Sequence, residues 1–286
     1  MAISPERGKT IFRRTEKELL RLFSGHRADA VHGFRTAARR LQTLLEQLAA
    51  DNHRKHKELM KTLNRIRKSA GRVRDIDVQL DALRSLKIHQ EPRRKTQLVQ
   101  TLIELRAQHE KTLRKLLKKQ DVRDIRKLLR RAERSVNFDS NCDPLLVARQ
   151  MLESVTIPRA PVDDEMLHRY RLMVKRARYA AEFASKSAES TRFLAGLKRL
   201  QDALGSWHDW FTLTQTAMER LGDVSQSPLV AVLHNVTRGK FRHAVIAVTA
   251  AKTDSHAAKP GAGELRAGRK AAGKNAAIAR HSETAA

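Results

Sequence analysis

Apolar residues recur along this chain at steps of three and four, the period of an amphipathic helix. Strand-like alternation bounded by turn residues is not found. The steps predict helices over 7–23, 28–50, 53–70, 73–87, 91–119, 121–136, 144–155, 163–187, 189–204, 207–221 and 227–251. Breakers separate them: Gly25, Gly71, Pro92, Pro144, Pro158 with Pro161, Gly205, Gly222 and Pro228. Between the breakers Leu, Ala, Arg, Lys, Glu and Gln dominate, all good helix formers. The fold class expected is all-α, with a helical domain over about 7–251. The pattern stops there. Residues 252–286 nearly lack large apolar side chains and are rich in Ala, Gly, Lys and Arg. Such a segment cannot bury enough surface to offset its ordering entropy, so a disordered basic tail is expected. No run approaches 18 apolar residues, so no membrane span is expected. The N-terminus has no apolar stretch of signal-peptide length, which points to a cytoplasmic protein.

The pattern contains a repeat. VHGFRTAARRLQ (31–42) aligns with LHRYRLMVKRAR (167–178). His32 falls on His168, Arg35 on Arg171, Arg39 on Lys175 and Arg40 on Arg176. A second pair follows in the same order: LNRIRKSAGRVRD (63–75) aligns with LKRLQDALGSWHD (197–209). Gly71 and Asp75 there match Gly205 and Asp209, and Asn64 matches Lys198. Two motifs repeated in order predict two similar helical halves, about 7–136 and 144–251, related by a pseudo-twofold. Gly71 and Gly205 read as helix C-caps, with Asp75 and Asp209 near the first turn of the next helix. Each Asp has a second reading, pairing with a neighbouring Arg to fix its direction.

At 100° per residue, Val31, Phe34, Ala38, Leu41, Leu45 and Leu48 gather on one face of the first repeated helix. His32, Arg35 and Arg39 form their own stripe, about a third of a turn away. In the second copy Leu167, Tyr170, Val174 and Ala177 make the seam, and His168, Arg171, Lys175 and Arg178 make the stripe. The basic stripe thus lies at the rim of the core. If the halves face each other, two stripes converge on one basic groove. A basic stripe on a single helix is most often a solvated face. Repetition of the same ordered set in both copies argues for an anion.

Charge sharpens that reading. The chain carries 58 Lys and Arg against 31 acids, a formal net charge of +27. Such an excess suggests a polyanionic partner: nucleic acid, an anionic membrane surface or a phosphate polymer. Aromatic residues make up only 4% of the chain, which disfavours stacking on unpaired bases. The single cysteine, Cys142, allows no internal disulfide and no Cys cluster for a metal.

The four motifs together resemble the CHAD family, the conserved histidine α-helical domain. The family's first half carries VHxxRVxxRRLR and LGxxRDLDV, read here as VHGFRTAARRLQ and SAGRVRDIDV. Its second half carries LHxxRIxxKKLRY and LKxLQDxLGxxND, read here as LHRYRLMVKRARY and LKRLQDALGSWHD. The resemblance spans about residues 7–251. It implies two four-helix-bundle-like halves around a basic groove or pore, binding of inorganic polyphosphate, and association with polyphosphate granules. The positions it carries over are His32, Arg35, Arg39, Arg40, Arg74, His168, Arg171, Lys175, Arg176, Arg178 and Lys198. Gln42 and Asn64 depart from the pattern by lacking charge in the first half, so a lopsided groove is expected. A preceding CYTH triphosphatase domain is not expected, because the resemblance starts near the first residue.

Two other classes compete. Residues 93–134 hold 15 Lys and Arg against 5 acids, dense enough to attract a nucleic-acid duplex without reading its sequence. Non-specific DNA or RNA affinity is therefore a second expectation. The other class is a metal-dependent phosphohydrolase. His208–Asp209 is an HD dyad, but its repeat partner is Arg74–Asp75, which cannot hold a metal in that way. His53 and His56 are too few for a site. No Walker loop or nucleophile elbow appears. The expectation is a binding protein with no catalytic residues, no metal and no cofactor. Oligomeric state stays open.

Overall fold

The computed structural model describes residues 3, 5–50, 56–87, 91–138, 142–154 and 162–257. Among them are nine α-helices and no strand: α1 (Pro5–Ser24), α2 (Ala28–Thr43), α3 (Lys57–Ser85), α4 (Pro92–Lys115), α5 (Lys119–Ser135), α6 (Pro144–Glu153), α7 (Asp164–Ala181), α8 (Ala188–Leu221) and α9 (Pro228–Ala257). The all-α expectation is met. The chain divides into two compact units, Met1–Ala247 and Val248–Ala286. Everything below concerns the first. In the second, the last turns of α9 run to Ala257, so the first residues expected to be a disordered tail are helical. The rest of the tail, His53, Pro158 and Pro161 lie outside the described residues.

Several boundaries follow local chemistry. Pro92 and Pro144 stand in the first turns of α4 and α6, where a missing N–H costs nothing. Asp163 caps α7 by accepting from the Met166 amide at 2.7 Å. Ser187 and Ser190 form a capping box at the start of α8. Gly222 ends α8 at φ 89°, a left-handed conformation that suits glycine. Glu91 also has positive φ, 52°. Its carboxylate accepts from the Ser227 hydroxyl at 2.9 Å and the Leu229 amide at 3.0 Å, which satisfies the first turn of α9.

Other boundaries correct the sequence reading. Gly71 and Gly205 are not C-caps. They lie inside α3 and α8, each of which runs unbroken through two predicted helices. Asp75 and Asp209 are therefore mid-helix. Packing overrides the glycine: α3 lies against α2, α4, α5 and α8 along its length, and α8 against α3, α4 and α7. The helix predicted over 28–50 stops at Thr43 and continues as a single π turn, Leu44–Leu48. That turn shifts the seam by one position, so Leu44, Leu45 and Leu48 are all buried.

The predicted seam residues Val31, Phe34, Ala38, Leu41, Leu45 and Leu48 are buried, as are Leu167, Tyr170, Val174 and Ala177. One core joins α1, α2, the first half of α3, and α5. A second core joins Ile76, Leu80 and Leu83 of α3 to Leu98 and Leu102 of α4, Leu213 of α8 and Leu229 and Leu233 of α9. The second core thus draws on both repeat segments. The repeated helices meet directly, α2 on α7 and α3 on α8. That contact places the two stripes.

Candidate anion-binding site

Arg35 leaves α2 toward α3. Its Nη1 donates to the Gly71 carbonyl and to Asp75 Oδ1, each at 3.3 Å. The minor reading of Asp75, as a residue that aims an arginine, is the one the geometry fits. An added Cβ on Gly71 would lie 3.7 Å from the Arg35 guanidinium, an ordinary van der Waals contact.

Four cations of the two stripes feel one another. Burial first, then Arg171 and Arg39, push the Lys175 ammonium down to about 7, against the partial relief of Asp209. Burial also lowers Arg171, with Asp209 and Asp75 opposing and Arg39 and Arg35 adding to it. Arg39 is lowered by burial and by Arg35 and Arg176, with Tyr179 and Asp75 opposing. Arg35 and Arg39 come from α2, Arg171 and Lys175 from α7. Charges of α2 thus act on those of α7 across the contact between the two helices. The cluster is under-compensated: the Nε of Arg171 is buried without a hydrogen-bond partner.

The sequence reading missed Arg67. Burial, then Arg39 and Arg35, hold it at about 10, well below the ordinary guanidinium value. Its guanidinium donates to Asn64 Oδ1 at 3.2 and 3.1 Å. Arg39, Gln42, Arg67, Arg176 and Tyr179 line one small cleft of about 50 Å³. The lopsided groove expected from Gln42 and Asn64 is thus corrected, because Arg67 enters beside Gln42 and is held by Asn64. A signal existed. The repeat partner of Gln42 is Arg178, and the partner of Arg67 is Gln201, so Arg and Gln have exchanged places between the copies. Arg178 and Gln201 touch as well, Nη1 to Oε1 at 3.0 Å.

Both histidines flank this cluster. Burial, then Arg74, Arg35 and Lys175, keep His32 below its ordinary value. Burial, then His208, Arg171 and Lys175, do the same for His168. The His168 and His208 rings lie 5.3 Å apart. Arg74 and Asp209 line a wider, open pocket of about 370 Å³ with Ser206 and Trp210. Asp209 acts on Arg171 and Lys175, and its HD neighbour His208 has Nδ1 3.7 Å away. Among the described residues no group of three His, Cys, Asp or Glu is placed to hold a metal ion.

Three residues carried over from the sequence are paired with carboxylates outside the cluster. Arg40 Nε sits 2.6 Å from Glu182 Oε2, with its guanidinium 5.9 Å from the centre of the Tyr179 ring. Arg178 Nε lies 3.4 Å from the other oxygen of Glu182. Lys198 pairs with Asp202 at 2.7 Å on an exposed surface. The ones brought together are Arg35, Arg39, Arg171, Lys175 and Arg176, joined by Arg67. Five guanidinium forks and one ammonium in a half-buried space are suited to several phosphate oxygens at once.

Comparison with known proteins gives the family and the fold. The family model described as CHAD domain matches residues 9–217. A search of the curated proteins found no match. Among solved structures, the CHAD domain from the plant Ricinus communis is 17% identical, with a TM-score of 0.58, over 85% of this chain and 85% of that one. PptA from Streptomyces chartreusis is 15% identical, with a TM-score of 0.61, over 88% of this chain and 99% of that one. At these identities the structures establish a shared fold. No helix among the described residues is long and apolar enough to cross a membrane.

Proposed function

The chain belongs to the CHAD domain family, and on that premise we propose that it binds inorganic polyphosphate in the cluster between α2, α3 and α7. The observation that carries this reading is geometric: α2 packs on α7, Arg39, Arg67 and Arg176 line one cleft, and burial, with neighbouring cations adding to it, lowers Lys175, Arg171, Arg39 and Arg67. Cations held that close repel one another in the free protein. A polyanion relieves the repulsion and gives the unpartnered Arg171 Nε an acceptor. Polyphosphate supplies about one charge per unit and no base, so it requires neither aromatic platforms nor base-edge readers. Only 4% of the chain is aromatic. The role proposed is binding without turnover, in the cytoplasm and at polyphosphate granules.

The test replaces Arg35, Arg39, Arg171 and Lys175 with Gln and compares a control set, Lys111, Arg114, Lys118 and Arg131, also changed to Gln. Both remove four charges. Long-chain polyphosphate affinity, measured against salt, is expected to fall at least about tenfold further in the site variant. Its salt slope is expected to flatten by up to about one unit per lost contact. Equal losses in two well-folded variants would mean that binding follows net charge alone. EDTA is expected to change nothing; loss of binding restored by a divalent ion would return the HD dyad to consideration.

A further inference from the structure

A second basic surface lies on α5, built differently from the cluster. At 100° per residue, Lys119, Arg123, Arg126, Arg130 and Arg134 fall within about 80° of arc. The row is about 22 Å long at 1.5 Å per residue. The other side of the helix, Val122, Ile125, Leu129 and Ala132, is buried in the core.

The acids beside this row are turned inward. Arg126 Nε donates to Glu16 Oε1 on α1 at 2.7 Å, and Arg130 reaches the same oxygen at 3.1 Å. Arg13 of α1 donates to Glu133 of α5 at 2.9 Å. Glu16 and Glu133 are 17% and 18% exposed, while Arg126, Arg130 and Arg13 are 37%, 55% and 66% exposed. The carboxylates sit in the seam between α1 and α5, and the guanidinium groups stand outside it. They are fixed in direction yet keep free donors. Each fork offers five N–H groups, and one carboxylate oxygen occupies few of them. Lys119, Arg123 and Arg134 are exposed and have no carboxylate partner among the described residues.

We propose that the α1–α5 face is a docking surface for the phosphate backbone of a nucleic-acid duplex. The ligand follows from shape and composition. The row runs along one face of a single unbroken helix, opposite its buried side. The α5 row itself carries no aromatic side chain to stack an unpaired base and no apolar side chain to enter a bilayer, and the exposed large apolar residues of the neighbouring helix α1 are Leu20 and Phe23. A duplex presents about one charge per 1.7 Å of axis, so phosphates along 22 Å outnumber the cations of the row. The surface is separate from the polyphosphate cluster, whose strongest electrostatic partners come from α2, α3, α7 and α8. It does not depend on the polyphosphate reading. Nothing on it reads a base edge, so binding is independent of sequence.

The experiment uses the full chain and the variant K119Q/R123Q/R134Q, which breaks no ion pair in the seam. Probes are a 20-base-pair mixed-sequence DNA duplex, long-chain polyphosphate, and vesicles of phosphatidylcholine with phosphatidylserine. The expected result is a loss of at least tenfold in duplex affinity, with the salt slope flattened by about two to three units. Polyphosphate affinity and the circular dichroism spectrum are expected to stay within twofold and unchanged, respectively. The variant R35Q/R39Q/R171Q/K175Q is expected to keep duplex binding. Failure of the wild type to bind the duplex at about 0.1 M salt overturns the proposal. So does equal loss of both polymers in the α5 variant, or loss of vesicle binding alone. The vesicle arm also tests Leu20 and Phe23, the large apolar residues exposed on α1.

Discussion

Lys175 is where a single side chain has the most to report. Burial weighs most against its charge, Arg171 from its own helix and Arg39 and Arg35 from α2 add to that, and Asp209 from α8 acts for it. Held near 7, it is only partly protonated in the free protein at neutral pH. A bound polyanion favours the charged form, so binding takes up a proton. Above pH 7, log affinity for long-chain polyphosphate should therefore fall with pH, by at most about one unit per pH unit. Lys175→Arg stays charged throughout and should flatten this slope while keeping affinity at pH 7. Calorimetry in buffers of different ionisation enthalpy reads the proton directly. His32 and His168 are both lowered from 6.5 and titrate below this window. Stability of the free protein has the opposite sign. Its folded pKa lies below the unfolded value, so the unfolded chain binds more protons between about 7 and 10.5 and stability from this group rises with pH. The sequence placed Lys175 correctly on a stripe, because helical period fixes which face a residue occupies. Period cannot say which cations on a face meet a carboxylate. Arg40 finds Glu182 at a separation of 142 residues, and only the fold brings them together.

Glycine is where the elements departed from their pattern. A glycine between two apolar runs reads as a stop, and Gly25 and Gly222 follow the ends of α1 and α8. Gly71 and Gly205 have the same local look but lie inside helices that pack along their length on their neighbours, and that packing keeps α3 and α8 unbroken. An added Cβ at Gly205 would meet nothing within 4 Å. Gly205→Ala should therefore stabilise the protein by about 0.5–1 kcal/mol, through lower entropy of the unfolded chain. Thermal unfolding should shift up by about 1–4 °C. A drop would mean that the folded helix does not accommodate a Cβ at 205. The π turn at Leu44–Leu48 was equally hidden, because one extra residue in a turn leaves no mark on a run of leucines. Its effect is local but useful. Gln42 Nε2 donates to Glu46 Oε1 at 2.8 Å, and both line the cleft that Arg67 enters.

Across the whole molecule, the repeated motifs marked two similar segments, and the fold brings α2 onto α7 and α3 onto α8. They did not reveal the fastening. Glu182, just past the end of α7, takes Arg40 of α2 on one oxygen and Arg178 of its own helix on the other. Beside it, Arg7 of α1 donates to the carbonyls of Glu182 and Ala184, each at 2.8 Å. Acceptors left open at the end of α7 are thereby closed by the first turn of α1, 175 residues away in the chain. This fastening holds two arginines of the repeated motif, Arg40 and Arg178, on one carboxylate. It also separates stability from binding. Glu182→Gln leaves two half-buried guanidinium groups without their charge partner and should cost about 1–3 kcal/mol, read as a lower midpoint in urea. Arg40→Gln should likewise destabilise, yet leave the salt slope of polyphosphate binding unchanged, because its charge already belongs to Glu182. Arg39→Gln, one residue away, should do the reverse: little change in midpoint and a flatter slope by up to about one unit. If Arg40→Gln flattened the slope as much as Arg39→Gln, the Glu182 pair would have to open when the polymer binds, and the fastening would itself be part of the site.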